Sequence, residues 1–189
     1  NIWENSKLLQ FTPRSIIDSR SRHRTMVPKK EYENGHILVS KTAKDLSDSG
    51  VKVNMGAHGQ LQGLGAHWET WMLAQGGMSN LEALKAATIN GANYIGAGND
   101  IGSLEVGKLA DLLLLSKNPL DAIENTQYID NVMINGHLYD ANTMNEIGNY
   151  PKARKTFYWE ISKANEAFPW HEETQGFSDG GCGCHLGHN

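Results

Sequence analysis

The sequence predicts an α/β fold, on three observations. A helical period over about residues 31–49 ends at Gly50 and gives way to residues that alternate from Val51 to Ala57. Two helix-like runs follow, and the second opens on a capping box, Ser79-Asn80-Leu81-Glu82. After Gly102 the texture changes to short apolar strands and an Asn-Gly turn. A helix, a strand and further helices make an α/β unit, and a smaller β-element comes after it.

Composition narrows the function classes. The chain has 189 residues, 39% of them apolar and 20% charged, ordinary values for a globular protein. A net charge of −4 and a pI near 6.1 carry no signature of a nucleic-acid or membrane-surface partner. No apolar run approaches the roughly 18 residues of a membrane span, and Leu109–Leu115 is short and next to charges. Cys182 and Cys184 stand one residue apart, so there is no disulfide framework, and the compartment stays open.

Taken in order, residues 1–30 lack a period and are basic, with Arg14, Arg20, Arg22, His23, Arg24, Lys29 and Lys30. They read either as a solvated loop or as a loop at a substrate mouth that binds a carboxylate. In the first helix Ile37, Val39, Ala43 and Leu46 share a broad face, and Gly50 suits its stop. In the strand over 51–58, Val51, Val53 and Met55 fall on one face, and Lys52, Asn54, Gly56 and His58 on the other. A Gly/Gln loop leads to a helix over 66–75 with Trp68, Trp71 and Met72 as its apolar stripe, read as core. The capping box starts a helix that buries Leu81, Leu84 and Thr88 and stops near Asn90-Gly91.

Leu112–Leu115 is a short strand ended by Asn118-Pro119. Val132–Ile134, Asn135-Gly136 and His137–Tyr139 form a hairpin, because Asn-Gly suits the two positive-φ positions of a type I′ turn. Residues 150–172 mix basic and aromatic side chains and read as a docking helix or wrapping arm. The Gly-rich end, with Cys182, Cys184, His185 and His188, reads as a disordered tail. Metal capture by it is the sharper alternative. Gly63-Leu64-Gly65 lacks the Lys-Ser/Thr of a phosphate loop.

Four stretches in order carry a family likeness. G-V-K-V-N-M-G-A-H resembles the last barrel strand of the metal-dependent amidohydrolases, and G-G-M-S-N-L-E-A-L-K-A-A-T-I-N-G-A the helices after it. G-S-L-E-V-G-K-L-A-D-L-L-L-L resembles the return to their small β-sandwich, and V-M-I-N-G its last hairpin. The likeness covers roughly Gly50 to Asp140 and is nearest the imidazolonepropionase-like and prolidase-like branch.

The resemblance implies the C-terminal units of a (β/α)8 barrel over residues 1–98, with the last strand at 51–58 and helices at 66–75 and 79–90. It also implies a β-sandwich return over 99–148 and a C-terminal extension over 149–189. The implied function is metal-dependent hydrolysis of C–N bonds other than ordinary peptide bonds, of the cyclic amide or dipeptide type. One or two divalent ions, zinc by the resemblance, would activate the water. A small-molecule substrate is the implied partner, and homo-oligomerisation stays open.

Two departures accompany the likeness. The residue at the tip of the last strand is typically Asp in this superfamily, whereas here it is His58, with no carboxylate between Asp48 and Glu69. Either His58 fills the role, as proton shuttle or metal ligand, or the site is damaged. Asn54 on the same strand face, and His67 and Glu69 on the next helix, are the expected substrate-binding residues. Glu69 is also a substitute for the absent Asp. The superfamily's first-strand His-x-His pair has no counterpart, and a barrel takes about 200–250 residues. The chain is therefore expected to be a fragment, inactive alone, whose N-terminal barrel portion is its missing partner. The competing reading is a non-catalytic truncated homologue that serves as an interaction module.

Overall fold

In the computed structural model, residues 5–13, 15–17, 35–57, 61 and 63–161 are described. Among the described residues the helices α1 (Ser6–Phe11), α2 (Gly35–Asp48), α3 (Leu64–Gln75), α4 (Asn80–Ala86) and α5 (Ile89–Tyr94) come first, and residues 15–17 are helical too. The strands β1 (Leu112–Leu115), β2 (Ile129–Ile134), β3 (His137–Asp140) and β4 (Glu146–Ile147) follow, with a 3₁₀ turn at Ile123–Gln127 and a last helix, α6 (Tyr158–Ile161). The mixed α/β class is as expected. No helix among the described residues is long and apolar enough to cross a membrane.

Helix α3 is the centre of the helical part. Its residues from 64 to 74 are all buried or half-buried, so contacts are spread around the helix rather than along one stripe. Leu73 is buried with Met78, Ala83, Ala86 and Ile123, and Trp71 packs against them. Trp68 and Leu64 instead pack against Leu8 and Ile17. The single stripe expected from Trp68, Trp71 and Met72 is thus split between two clusters.

Small residues, not large ones, make the closest contacts. On α2 the buried residue is Ser40, while Val39 and Leu46 are 70% and 48% exposed. A Cβ placed on Gly76, just beyond α3, would come within 2.5 Å of the Ser40 oxygen and Cβ. The two backbones touch there, and a branched side chain would hold them apart. On α4 the same preference buries Ala83 and Ala86 and leaves Leu81 50% exposed. The Ser79–Glu82 capping box forms in full. Its helix ends at Ala86, and α5 is separate, so the continuous run over 79–90 is broken at Ala87-Thr88.

Residues 51–57 are in neither helix nor strand, so the expected strand forms no ladder among the described residues. A strand exists only by pairing, and here the backbone groups go to helices. Met55 N–H donates to Ala86 O at 3.0 Å, and Asn90 Nδ2 donates to Val53 O at 3.0 Å. Val53 packs against the main core cluster, whereas Val51 is exposed.

The β-part is one antiparallel sheet in the order β1-β2-β3-β4. The β2–β3 hairpin closes at Ile134↔His137, with φ of 48° at Asn135 and 80° at Gly136, as a type I′ turn demands. Charged residues of the Gly107–Asp111 motif hold this arrangement. Lys108 Nζ donates to Gly98 O at 2.6 Å and to Ser103 Oγ at 2.5 Å. Asp111 Oδ1 accepts the Asn135 N–H at 2.6 Å, which ties the hairpin turn to the start of β1.

The arm beyond β4 returns across the sheet. Lys152 and Glu146 exchange backbone hydrogen bonds, and the Arg154 guanidinium meets Glu160 through two nitrogens at 2.8 and 2.5 Å. Arg154 and then the Phe157 N–H hold the Glu160 carboxyl down to about 2. Phe11 of α1 sits edge-on to Phe157 at 6.5 Å between centroids. Lys7 Nζ and Gln10 Nε2 donate to Ile129 O and Asn142 O.

Candidate functional site

Of the four expected site residues, Asn54, His67 and Glu69 are placed, and His58 lies outside the described residues. The tail residues Cys182, Cys184, His185 and His188, and the basic run from Arg20 to Lys30, lie outside them too. Asn54 is half-buried, and its Oδ1 is buried without a hydrogen-bond partner among the described residues. An orphaned amide oxygen of this kind costs about 1–3 kcal/mol unless something satisfies it.

Glu69 reaches from α3 to the extended segment, where its Oε1 accepts the Gly56 N–H at 3.0 Å. The carboxylate thus meets the backbone two residues ahead of His58. Together with Asn90 and the Ala86 carbonyl, it supplies the bonds that a neighbouring strand would have made.

His67 has a different setting. Its Nδ1 is 3.1 Å from Thr126 Oγ1, which also accepts the Trp71 indole N–H at 2.9 Å. An indole nitrogen only donates, so the hydroxyl proton is free to point at His67 Nδ1, which favours a neutral ring protonated on Nε2. Burial pushes the His67 imidazole below its usual 6.5. Thr126 carried no local signal, since its partners lie 59 and 55 residues away.

The depressed value has a sign. Between the folded and unfolded values the unfolded chain binds more protons, so stability is complete above about pH 6.5 and falls as pH drops through the lowered folded value. Urea unfolding midpoints measured at pH 7.5 and 5.5 should drop on acidification. The His67→Gln variant should show a smaller drop. An equal drop in both proteins would place the titration elsewhere.

These residues do not by themselves make a metal centre. Among the described residues no three of His, Cys, Asp and Glu come together, and Glu69 and His67 already bond to Gly56 and Thr126. An open groove beside α3 and the 3₁₀ turn, lined by Trp71, Gln75, Asn80, Asp121 and Ile123, includes none of the expected site residues.

Comparison with known proteins finds a family match and several partial likenesses. The model of the Amidohydrolase family matches residues 36–139. An imidazolonepropionase of Syntrophobacter fumaroxidans is 64% identical over 44 residues, which are 23% of this chain and 10% of that protein. A 5'-deoxyadenosine deaminase of Methanobrevibacter smithii is 34% identical over 67 residues, 35% of this chain and 15% of that one. Among solved structures, a Xaa-Pro dipeptidase with bound methionine in the active site is 31% identical with a TM-score of 0.49, over 54% of this chain and 25% of that chain. The likeness thus spans a tenth to a quarter of the length of these relatives.

Proposed function

This chain belongs to the amidohydrolase family, and from that premise we propose that it supplies the last β/α unit and small β-domain of a metal-dependent hydrolase of C–N bonds. The domain division is then a barrel portion over 1–98, a β-sandwich return over 99–148 and an extension over 149–189. The observation that carries this reading is the family match over residues 36–139, which runs from α2 into β3. The imidazolonepropionase likeness favours a cyclic amide as the substrate class.

The divalent ion, zinc by the resemblance, would be held by residues outside the described ones and would supply Lewis-acid polarisation of the water and the scissile carbonyl. His58 takes the proton from the attacking water. It then returns that proton to the nitrogen as the C–N bond breaks, a role suited to an imidazole with an ordinary value near 6.5. Asn54 Oδ1, which has no partner among the described residues, is the acceptor offered to a substrate N–H.

The test is an assay of the full-length gene product, loaded with zinc, against imidazolone propionate, other cyclic amides and Xaa-Pro dipeptides. Release of the ring-opened acid from cyclic amides is the expected result. A folded, metal-loaded protein that turns over none of them would favour the interaction-module reading instead.

A further inference from the structure

We infer that Glu69 is a positioning residue, whose carboxylate holds the Gly56 backbone, two residues ahead of His58 in the sequence. The inference rests on the proposed role of His58 and replaces the expectation that Glu69 binds substrate or stands in for the missing Asp. Among the described residues, 53–56 have no neighbouring strand, and three side-chain or helix-end groups hold them instead. Asn90 Nδ2 holds Val53 O, Ala86 O holds the Met55 N–H, and Glu69 Oε1 holds the Gly56 N–H, each at 3.0 Å. Among the described residues, the last of these tethers before His58 is the one made by Glu69.

Its chemistry suits the task. A carboxylate that accepts a backbone N–H makes a charge-assisted bond, roughly twice as strong as a neutral one. Gly56 has no side chain, and a Cβ there would touch nothing within 4 Å, so packing does not restrain it and the backbone bond must. The anchor is itself fixed. Helix α3 has no exposed residue from 64 to 74, and two of its side chains, His67 and Trp71, meet the Thr126 hydroxyl. A group that must hold an element in place works best from a rigid one.

Substitution separates positioning from chemistry, because glutamine keeps the accepting oxygen and loses only the charge and acidity. In the full-length zinc-loaded protein, Glu69→Ala should lower kcat on the order of 10²-fold, the penalty of an ångström-scale misplacement. KM should change little, and hydrogen exchange of a peptide covering 53–57 should speed up. Glu69→Gln should keep kcat and the pH profile close to wild type, with exchange slower than in Glu69→Ala because the neutral amide oxygen still accepts the Gly56 N–H, though more weakly. A Gln variant as impaired as the Ala variant, with a lost limb in its pH profile, would overturn the inference in favour of direct acid–base chemistry. Unchanged exchange in Glu69→Ala would overturn it as well. The exchange readout needs no turnover, so an inactive wild type would refute the hydrolase reading while exchange still decides the tether.

Discussion

Replacing His58 by alanine in the full-length protein should lower kcat by about 10²–10⁴-fold, the usual contribution of a positioned acid–base group. The fold should survive, since the described core is built from Leu73, Met78, Ala83, Ala86 and Ile123 and from the Leu8–Ile17 pair. The acid limb of the pH profile should vanish with the imidazole. His58→Asp should keep measurable activity, because aspartate both accepts a proton and ligates metal, as its superfamily counterpart does. Near-normal turnover in His58→Ala, measured beside an unchanged melting temperature, would remove His58 from the mechanism and leave the family membership untouched.

Two glycine-to-alanine changes should move stability in opposite directions. Gly76 sits at φ −73°, a conformation alanine adopts freely, so the smaller unfolded-state entropy alone would stabilise Gly76→Ala by about 0.4–1 kcal/mol. Its added methyl, however, meets the Ser40 backbone and Cβ, and neither can rotate away while α2 stays docked. Overpacking of this kind costs about 1–3 kcal/mol or more, so the clash wins and the variant melts lower. Gly91 is inside α5, and a Cβ there touches nothing within 4 Å. Gly91→Ala should therefore gain about 0.5–1 kcal/mol and melt higher. If thermal unfolding ranked the pair the other way, the close approach of α2 to α3 would be refuted.

The legible parts of the fold are those that local chemistry decides. Ser79 and Glu82 satisfy each other across one helical turn, and Asn135-Gly136 adopts the two positive φ values its turn requires. Leu112–Leu115 is a strand with the expected limits. What the sequence conceals is decided by partners distant along the chain. Alternation at Val51–Ala57 suggested a strand, yet pairing depends on another backbone, and here helix residues supply the bonds. Counting large apolar residues pointed to Val39, Leu46 and Leu81, whereas the tight interfaces chose Ser40, Ala83 and Ala86. For the site, residue types marked Asn54, His67 and Glu69, but nothing local revealed Thr126 or the bond between Glu69 and Gly56.

The docking of α1 carries a consequence for the order of folding. The β2–β3 turn and the α2–α5 cluster join residues near in sequence, so little chain entropy opposes them. The bonds from Lys7 to Ile129 and from Gln10 to Asn142 close loops of 122 and 132 residues. Such closures repay their entropy only after both surfaces exist. Helix α1 therefore finds its seat late, and Leu8 and Phe11 wait until the sheet has been made.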